Sequence, residues 1–195
     1  DFGTVKAAAA SFVEAGKALG GEAAEAAQLL AAGIDGQGAF VAKAVTMPKA
    51  EGDALQGMLA PISDVMGKLD ELAGKRQNKF PQHCKMVNDA SQAFTWVLDG
   101  KPIPVISEHM GAAMFTGNKL LTANKGDEAQ TAFVKKMQST LQALQAFVKD
   151  NHAGGVAWNS AGGASPSAGA SAAAPASGGD FGAVKAAAAS FVEAG

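Results

Sequence analysis

The chain has 195 residues, of which 48% are apolar, 17% charged and 6% aromatic, so it is long enough for one ordinary domain with a tail. Its 16 lysines and arginines against 18 aspartates and glutamates give a net charge of −2, which provides no overall attraction to nucleic acid or an anionic membrane. The single cysteine, Cys84, excludes an intramolecular disulfide or a CxxC site and favours a reducing, intracellular location. No apolar run is long enough for a membrane span, so direct membrane insertion is not expected.

Apolar residues recur at intervals of three and four through residues 1 to 152, which predicts an all-α fold. The stripe in one segment, for example, follows Phe80, Cys84, Val87, Ser91, Phe94 and Leu98. Glycine and proline separate the stripes, and six helices are predicted at residues 5–18, 22–46, 52–73, 79–98, 104–124 and 127–151. Pro61 lies inside the third helix and predicts either a kink or a helix that begins there. Because the connections are short, residues 1–158 are predicted to form an antiparallel six-helix bundle.

Several residues have predicted packing roles in this bundle. Cys84 and Trp96 lie on the apolar stripe of the fourth helix and are expected in the core. Trp158 follows the last helix after a Gly-Gly break, and a tryptophan in that position is expected to fold back and seal the bundle end. Gly33, Gly36 and Gly38 are interpreted as points where the second helix approaches a neighbour closely.

The composition changes after the bundle. Residues 159–179 contain only small residues, proline and a first asparagine, with no charge, which predicts a disordered linker. Residues 180–195 then repeat residues 1–16 with one difference, Ala183 in place of Thr4. Three interpretations stay open: the start of a second bundle that breaks off at Gly195, an artefact, or a duplicated first helix with a role of its own, such as exchange with residues 1–16.

A search for catalytic chemistry finds little. His83, His109 and His152 are scattered over three segments, so no spacing of ligands predicts a metal site. The glycines of the second helix do not follow a strand and match no phosphate-binding motif, so no cofactor is predicted either. The sequence therefore predicts a protein that is not an enzyme.

One electrostatic feature stands out at the junction of helices three and four. Lys75, Arg76, Lys79 and Lys85 occur with no acidic residue between Glu71 and Asp89. Two interpretations stay open: a solvated turn whose cations complement the helix dipole, or a docking site for an acidic partner. Phe80, beside these cations, is interpreted as a core anchor rather than an exposed contact.

Particular strings in the chain carry a family resemblance. In chain order they are Leu59-Ala60-Pro61-Ile62-Ser63-Asp64, Lys79-Phe80 with His83, Trp96-Val97, Pro102 and Pro104, Glu108 and Met110, Ala112-Ala113-Met114-Phe115, Asn118-Lys119, and His152-Ala153-Gly154-Gly155-Val156-Ala157-Trp158. Together they resemble the N-terminal helical folded domain of the adenylyl cyclase-associated protein family, in the same order over about residues 5 to 158.

This resemblance implies a six-helix bundle that binds actin and acts with ADF/cofilin at filament pointed ends, where it promotes severing and subunit release. It implies a cytoplasmic protein of the actin cytoskeleton and cell cortex, with adenylyl cyclase as a further partner and a homodimer as an open alternative to the monomer. The actin-binding positions that the resemblance implies are Lys75, Arg76, Asn78, Lys79, Phe80 and His83.

A second functional class is kept beside this one. A helical bundle without catalytic residues is also typical of a scaffold or signalling adaptor, linked to adenylyl cyclase and without direct activity on filaments. Such an adaptor binds a partner helix or a proline-rich ligand. Binding to cofilin-decorated filaments separates the two classes.

Overall fold

The computed structural model describes residues 1–159, and all regular structure within them is helical, without a β-strand. The six α-helices are α1 (Phe2–Leu19), α2 (Gly21–Ala44), α3 (Gly52–Gly74), α4 (Pro81–Ser91), α5 (Pro102–Ala123) and α6 (Glu128–Asn151), and a 3₁₀ helix (Gln92–Leu98) follows α4. The predicted all-α, six-helix fold is confirmed. The predicted linker (residues 159–179) and terminal copy (residues 180–195) lie, apart from Asn159, outside the described residues.

The helices form a closed bundle. Each packs against its neighbours in the chain, α2 also contacts α4, and α1 packs against α6. The rings of Phe2 and Phe147 lie 4.9 Å apart, centroid to centroid, so the start of α1 and the last turns of α6 share one end of the bundle. Short connections between consecutive helices give the antiparallel arrangement that the sequence predicts.

Local chemistry at both ends of α1 shapes its hairpin with α2. The side chain of Asp1 accepts a hydrogen bond of 2.9 Å from the backbone N–H of Gly3 and caps α1. At the other end of α1, Gly20 and Gly21 have φ of 76° and 53°, a region that residues with a Cβ rarely adopt. The chain can therefore reverse with Gly20 as the only residue between the two helices.

The core is built from large rings and close helix approaches. Trp96 and Cys84 are fully buried, as predicted, and among residues 1–159 the other fully buried rings are Phe12, Phe40, Phe94 and Phe133. A Cβ added to Gly33 would lie 2.2 Å from Cε2 of Phe94, so α2 and the 3₁₀ helix approach closely only because this residue is glycine. The interpretation of the α2 glycines as close-approach points is confirmed.

The structure differs from the prediction in the fourth helix. Residues 79–98 were predicted as one α-helix, but α-helix ends at Ser91 and the tighter 3₁₀ form continues to Leu98. Nε2 of Gln37, from α2, donates a hydrogen bond of 3.1 Å to the backbone oxygen of Phe94 inside that segment. With three residues per turn, the apolar residues that would share one face of an α-helix no longer all lie on the same face. Leu98, the last of them, is exposed.

The bounds of the third helix test one of the two alternatives at Pro61. α3 begins at Gly52 and includes Pro61, so the alternative of a helix that begins at this proline is wrong. Pro61 itself is exposed, and Ile62, the next residue, is buried in the core.

The segment after α6 returns across the end of the bundle. The rings of Trp158 and Phe40 lie 5.7 Å apart, nearly perpendicular, and the N–H of Asn159 donates to the backbone oxygens of Ala44 (3.3 Å) and Met47 (3.1 Å). Trp158 is half-buried. The predicted fold-back of this tryptophan onto the bundle end is confirmed.

Candidate functional site: the basic turn between α3 and α4

We call residues 75–80, between the end of α3 and the start of α4, the basic turn. Five of the six candidate binding residues lie in the basic turn and the sixth, His83, lies in the first turn of α4; they differ in exposure. Lys75, Arg76 and Lys79 are exposed, whereas Asn78 and Phe80 are half-buried. His83, the third residue of α4, is buried with 6% of its surface exposed. Only the first five therefore offer surface to a partner, and His83 supports them from beneath.

Asn78 holds the basic turn in one conformation. Its Nδ2 donates a hydrogen bond of 2.9 Å to the backbone oxygen of Leu72 in α3. Its Oδ1 accepts a hydrogen bond of 2.7 Å from the backbone N–H of Phe80, the residue before α4. The end of one helix and the start of the next are thus joined through one side chain, which satisfies two backbone groups that the helix ends leave open.

Glu22, in the first turn of α2, brings a carboxylate to the basic turn. Its Oε1 lies 3.3 Å from Nζ of Lys75, and its Oε2 accepts a hydrogen bond of 3.4 Å from the backbone N–H of Lys79. A hydrogen bond from its own backbone N–H, then the interactions with Lys75 and Lys79, hold the pKa of the Glu22 carboxyl below its ordinary value, against partial desolvation. Glu22 therefore stays ionised and neutralises part of the patch.

The remaining positive charge is smaller than the sequence predicts. Lys75 faces Glu22, and Nζ of Lys85 lies 2.9 Å from Oδ2 of Asp89 one turn along α4. Within residues 1–159, no carboxylate forms an ion pair with Arg76 or with the side chain of Lys79. The charge available to an acidic partner is therefore centred on these two residues.

A column of four rings connects the basic turn to the core. The ring of Phe80 packs on the start of α2, where a Cβ on Gly21 would come within 3.3 Å of it. Phe80 and His83 lie 5.3 Å apart at 89°, and His83 and Phe133 lie 5.3 Å apart. Phe133 in turn lies 4.8 Å from Phe12 of α1. Phe80 is thus a partly exposed anchor, in line with its predicted core contact.

His83 is held neutral inside this column. Its Nε2 donates a hydrogen bond to Oε1 of Gln130 in the first turns of α6. Burial lowers the pKa of His83, and the hydrogen bond to Gln130 opposes this shift without cancelling it. His83 therefore adds packing and a fixed ring orientation to the site rather than charge.

Two residues of the site escaped the sequence reasoning. Glu22 and Gln130 come from α2 and α6, far along the chain from the basic turn, and periodicity alone does not predict which helix ends meet there. A local signal existed for Glu22, since an acidic residue directly after a Gly-Gly break is typical of a helix start.

Residues 1–159 show no sign of a metal centre or a membrane span. These residues contain no group of three or more His, Cys, Asp or Glu side chains placed to hold a metal ion. Among the same residues, no helix has the length and apolar character needed to cross a bilayer.

Comparison with known proteins identifies the family. The sequence profile of the CAP N-terminal domain matches residues 3–156, almost the whole of the bundle. The chain belongs to the adenylyl cyclase-associated protein (CAP) family. The resemblance stated from the sequence is thereby confirmed.

The curated relatives are named adenylyl cyclase-associated proteins. The mouse (Mus musculus) adenylyl cyclase-associated protein 1 is 31% identical over 156 residues, which cover 78% of this chain and 33% of that protein. The Dictyostelium discoideum adenylyl cyclase-associated protein is 26% identical over 160 residues, covering 80% of this chain and 34% of that protein. The chain thus spans about a third of the length of the relatives it matches.

Solved structures share the fold. The N-terminal domain of the Dictyostelium discoideum protein superposes with a TM-score of 0.71 at 24% identity, covering 76% of this chain and 86% of that one. A crystal structure of a CAP N-terminal domain, for which variable oligomerisation is indicated, gives a TM-score of 0.73 at 25% identity and covers 78% of this chain and 84% of that one.

Proposed function

We propose that this helical domain is a non-catalytic regulator of actin turnover. It contacts actin through the basic turn and acts with ADF/cofilin to promote filament severing and pointed-end depolymerisation. Membership of the CAP family supports an actin-regulatory role. Its place of action is the cytoplasmic actin cytoskeleton and cell cortex, and the activity requires no cofactor.

The observation that carries this proposal is the pair of exposed cations, Arg76 and Lys79, on a turn that Asn78 and Glu22 hold in place. A fixed turn loses little conformational freedom when it binds, so more of the interaction energy remains as affinity. Positive charge at an interface speeds the encounter with an acidic surface and selects its orientation. The half-exposed ring of Phe80 beside these charges supplies apolar contact.

The mechanism follows from differential binding. A protein that binds two states of a filament end equally well does not shift the equilibrium between them. The basic turn therefore has to bind the distorted, cofilin-decorated terminal interface more tightly than the regular one. Because the contact is stronger while the terminal subunit is leaving than while it is regularly bound, it lowers the barrier to subunit release.

The test is charge reversal in the basic turn. Glutamate in place of Lys75, Arg76 and Lys79 together should abolish the acceleration of cofilin-driven depolymerisation. Filament shortening is followed by fluorescence microscopy with purified actin and cofilin. The helical circular dichroism of the folded protein should not change, because all three residues are exposed. The melting temperature should fall, because glutamate at position 75 replaces the ion pair with Glu22 by a repulsion.

A matched control reverses three exposed lysines at the other end of the bundle, Lys43, Lys101 and Lys149. Lys43 lies in the last turn of α2, about 30 Å along the helix from Glu22. This variant has the same change in net charge and should keep its activity. Full activity of the first variant, or equal loss in both, would refute the assignment of the basic turn.

A second candidate function rests on the names of the relatives. They are adenylyl cyclase-associated proteins, which favours a scaffold or adaptor that binds cyclase rather than filaments. Cosedimentation with cofilin-decorated filaments separates the candidates, because an adaptor without filament activity stays in the supernatant. Assembly as a homodimer belongs to either candidate, and the variable oligomerisation of a related CAP domain supports it.

A further inference from the structure

Phe115, on α5, is the most exposed large apolar side chain among residues 1–159. It has 65% of its surface exposed, against 46% for Val45 and 36% for Leu98. One turn earlier on the helix, Gly111 and Ala112 are small and exposed, and a Cβ added to Gly111 would meet nothing within 4 Å. The ring of Phe115 therefore stands out from a low, uncovered surface that another molecule can reach.

A cation accompanies this exposed ring. Nζ of Lys119, one turn further along α5, lies 4.1 Å from the centroid of the Phe115 ring. Within the described part of the chain, no carboxylate forms an ion pair with Lys119. The attraction between an ammonium and a solvent-exposed ring is weak, so this ammonium remains available to a carboxylate. We call the exposed side of α5 around Phe115 and Lys119 the α5 face.

The α5 face lies on the outer side of the bundle, at the level of the second turn of α4. Gly117 packs inward, since a Cβ there would lie 3.1 Å from Sδ of Met86 in α4. Phe115 and Lys119 are each two residues from Gly117, hence about 160° around the helix from it. Met86 follows Pro81, where α4 begins, by five residues, or about 8 Å along the axis. The α5 face is therefore near the end of the bundle that carries the basic turn.

One partner can cover the basic turn and the α5 face together. Packed helix axes lie about 8–10 Å apart, and side chains extend about 5–6 Å from an axis. With the 8 Å along α4, the ring of Phe115 is about 15–20 Å from the basic turn. A standard protein interface covers about 800 Å² of each partner, which is roughly 30 Å across. The two surfaces therefore fit within one interface.

We infer that the α5 face is part of the surface that binds the acidic partner of the basic turn, with Phe115 as an apolar anchor and Lys119 beside it. The inference rests on the proposed function and extends it to a second helix. Its occupant is an acidic protein surface that places an apolar side chain next to a carboxylate.

Charge complementarity selects this occupant. Arg76, Lys79 and Lys119 are cations at one end of the bundle that no carboxylate of residues 1–159 neutralises through an ion pair. The nearest acidic residues that follow α5, Asp127 and Glu128, stand at the start of α6, where Asp127 caps the helix. An aromatic side chain that becomes buried, with charges at its edge, is the arrangement that carries most of the affinity in protein interfaces.

The ring and the cation have separable kinetic effects. An apolar anchor acts after contact, so its removal speeds dissociation and leaves association almost unchanged. An exposed charge acts before contact, so its removal slows association and makes it less sensitive to salt. Phe115→Ala and Lys119→Gln should therefore change different rate constants.

The test measures the binding of the fluorescently labelled full chain to cofilin-decorated actin filaments, one molecule at a time. Phe115→Ala should dissociate at least tenfold faster, with its association rate within twofold of the parent. Lys119→Gln should associate about threefold more slowly at low salt and equally fast at high salt. The matched control is Val45→Ala, an exposed apolar position directly after α2, at the opposite end of the bundle from the basic turn. It should leave both rates unchanged.

Each contrary outcome has a distinct meaning. Dissociation of Phe115→Ala at the parent rate would overturn the inference, and the proposed function would stand if reversal of the basic turn abolishes binding in the same assay. Equal acceleration in Phe115→Ala and Val45→Ala would overturn it too, because the effect would not be local. Absence of filament binding by the parent chain would overturn the proposed function and the inference with it.

A second measurement separates a different occupant of the α5 face. Sedimentation velocity reports whether the parent chain self-associates and whether Phe115→Ala changes this. A dimer that Phe115→Ala abolishes, with unchanged dwell times on filaments, would assign the α5 face to a second copy of the chain and overturn the inference. Equal sedimentation of parent and variant, with shortened dwell times, supports it.

Discussion

Glu22 and Lys75 form an ion pair of 3.3 Å across 53 residues of sequence. The carboxylate lies in the first turn of α2, and the ammonium follows the last residue of α3. Each charge therefore lies at the helix end whose dipole it complements, so the pair joins two favourable arrangements as well as two helices. The same carboxylate accepts a hydrogen bond from the backbone N–H of Lys79, so Glu22 connects α2 to the basic turn at two points.

The first prediction concerns Glu22→Gln, which keeps the shape of the side chain and removes its charge. The folded protein holds the pKa of Glu22 below its unfolded value, so the ionised group stabilises the fold above the unfolded pKa. That contribution disappears as the pH falls through the folded pKa. We therefore expect the variant to be less stable than the parent at neutral pH and equal to it in acid, measured by urea unfolding.

The control for this prediction is Glu25→Gln. Glu25 is exposed on the same helix and forms no ion pair among the described residues. It should show little change at either pH. A loss of stability in Glu22→Gln that persists in acid would show that shape, and not charge, is what the substitution disturbs.

The second prediction concerns Asn78→Ala. This substitution removes the hydrogen bonds to Leu72 and from Phe80. The backbone oxygen of Leu72 still accepts from the N–H of Lys75 at 3.4 Å, but the N–H of Phe80 loses its partner. Unfolding free energy should fall by about 1–3 kcal/mol, and the Phe80 amide should exchange with solvent faster. Gln77→Ala, at the exposed neighbouring position, should stay within about 0.5 kcal/mol of the parent. Equal stability of the two variants would mean that Asn78 does not fix the turn.

The third prediction uses two helical glycines as a matched pair. Gly33→Ala places a methyl group 2.2 Å from the ring of Phe94, so overpacking of about 1–3 kcal/mol exceeds the gain in helix propensity. Gly57→Ala, in α3, meets nothing within 4 Å and should stabilise the protein by about 0.5–1 kcal/mol. Opposite shifts in melting temperature are expected. A stabilised Gly33→Ala would disprove the close approach of α2 to the 3₁₀ helix.

The fourth prediction concerns the fold-back of Trp158. Its ring is half-buried and meets Phe40 edge to face. Trp158→Ala should cost about 1–2 kcal/mol, less than the loss of a fully buried ring. Phe40→Ala, which empties a buried position, should cost about 3–5 kcal/mol. Urea unfolding followed by circular dichroism gives both values, and an unchanged Trp158→Ala would show that the segment adds no stability.

The fold was predictable because its signal is local. Helical periodicity and glycine or proline breaks lie within a few turns of each other, and they placed all six helices. The change to 3₁₀ geometry after Ser91 was not predictable, because a period of 3.0 and one of 3.6 are hardly distinguishable over seven residues. Its stabilising contact from Gln37 also comes from another helix.

The site was only partly predictable for the same reason. The sequence grouped Lys75, Arg76 and Lys79 correctly because they are neighbours in the chain. It could not show that Glu22 neutralises Lys75, since that contact depends on how α2 and α3 pack. Nor could it show that His83 points inward, because its position on the helix face is set by the partners Phe133 and Gln130. Actin binding at these residues stays a prediction.

The column of rings from Phe80 to Phe12 has a mechanical consequence. A partner that presses on Phe80 pushes, through His83 and Phe133, against the first helix of the chain. The rigidity of the basic turn thus depends on how tightly the hairpin of α1 and α2 packs on the rest of the bundle. Weaker packing of that hairpin would make the basic turn more flexible without altering any atom on its surface.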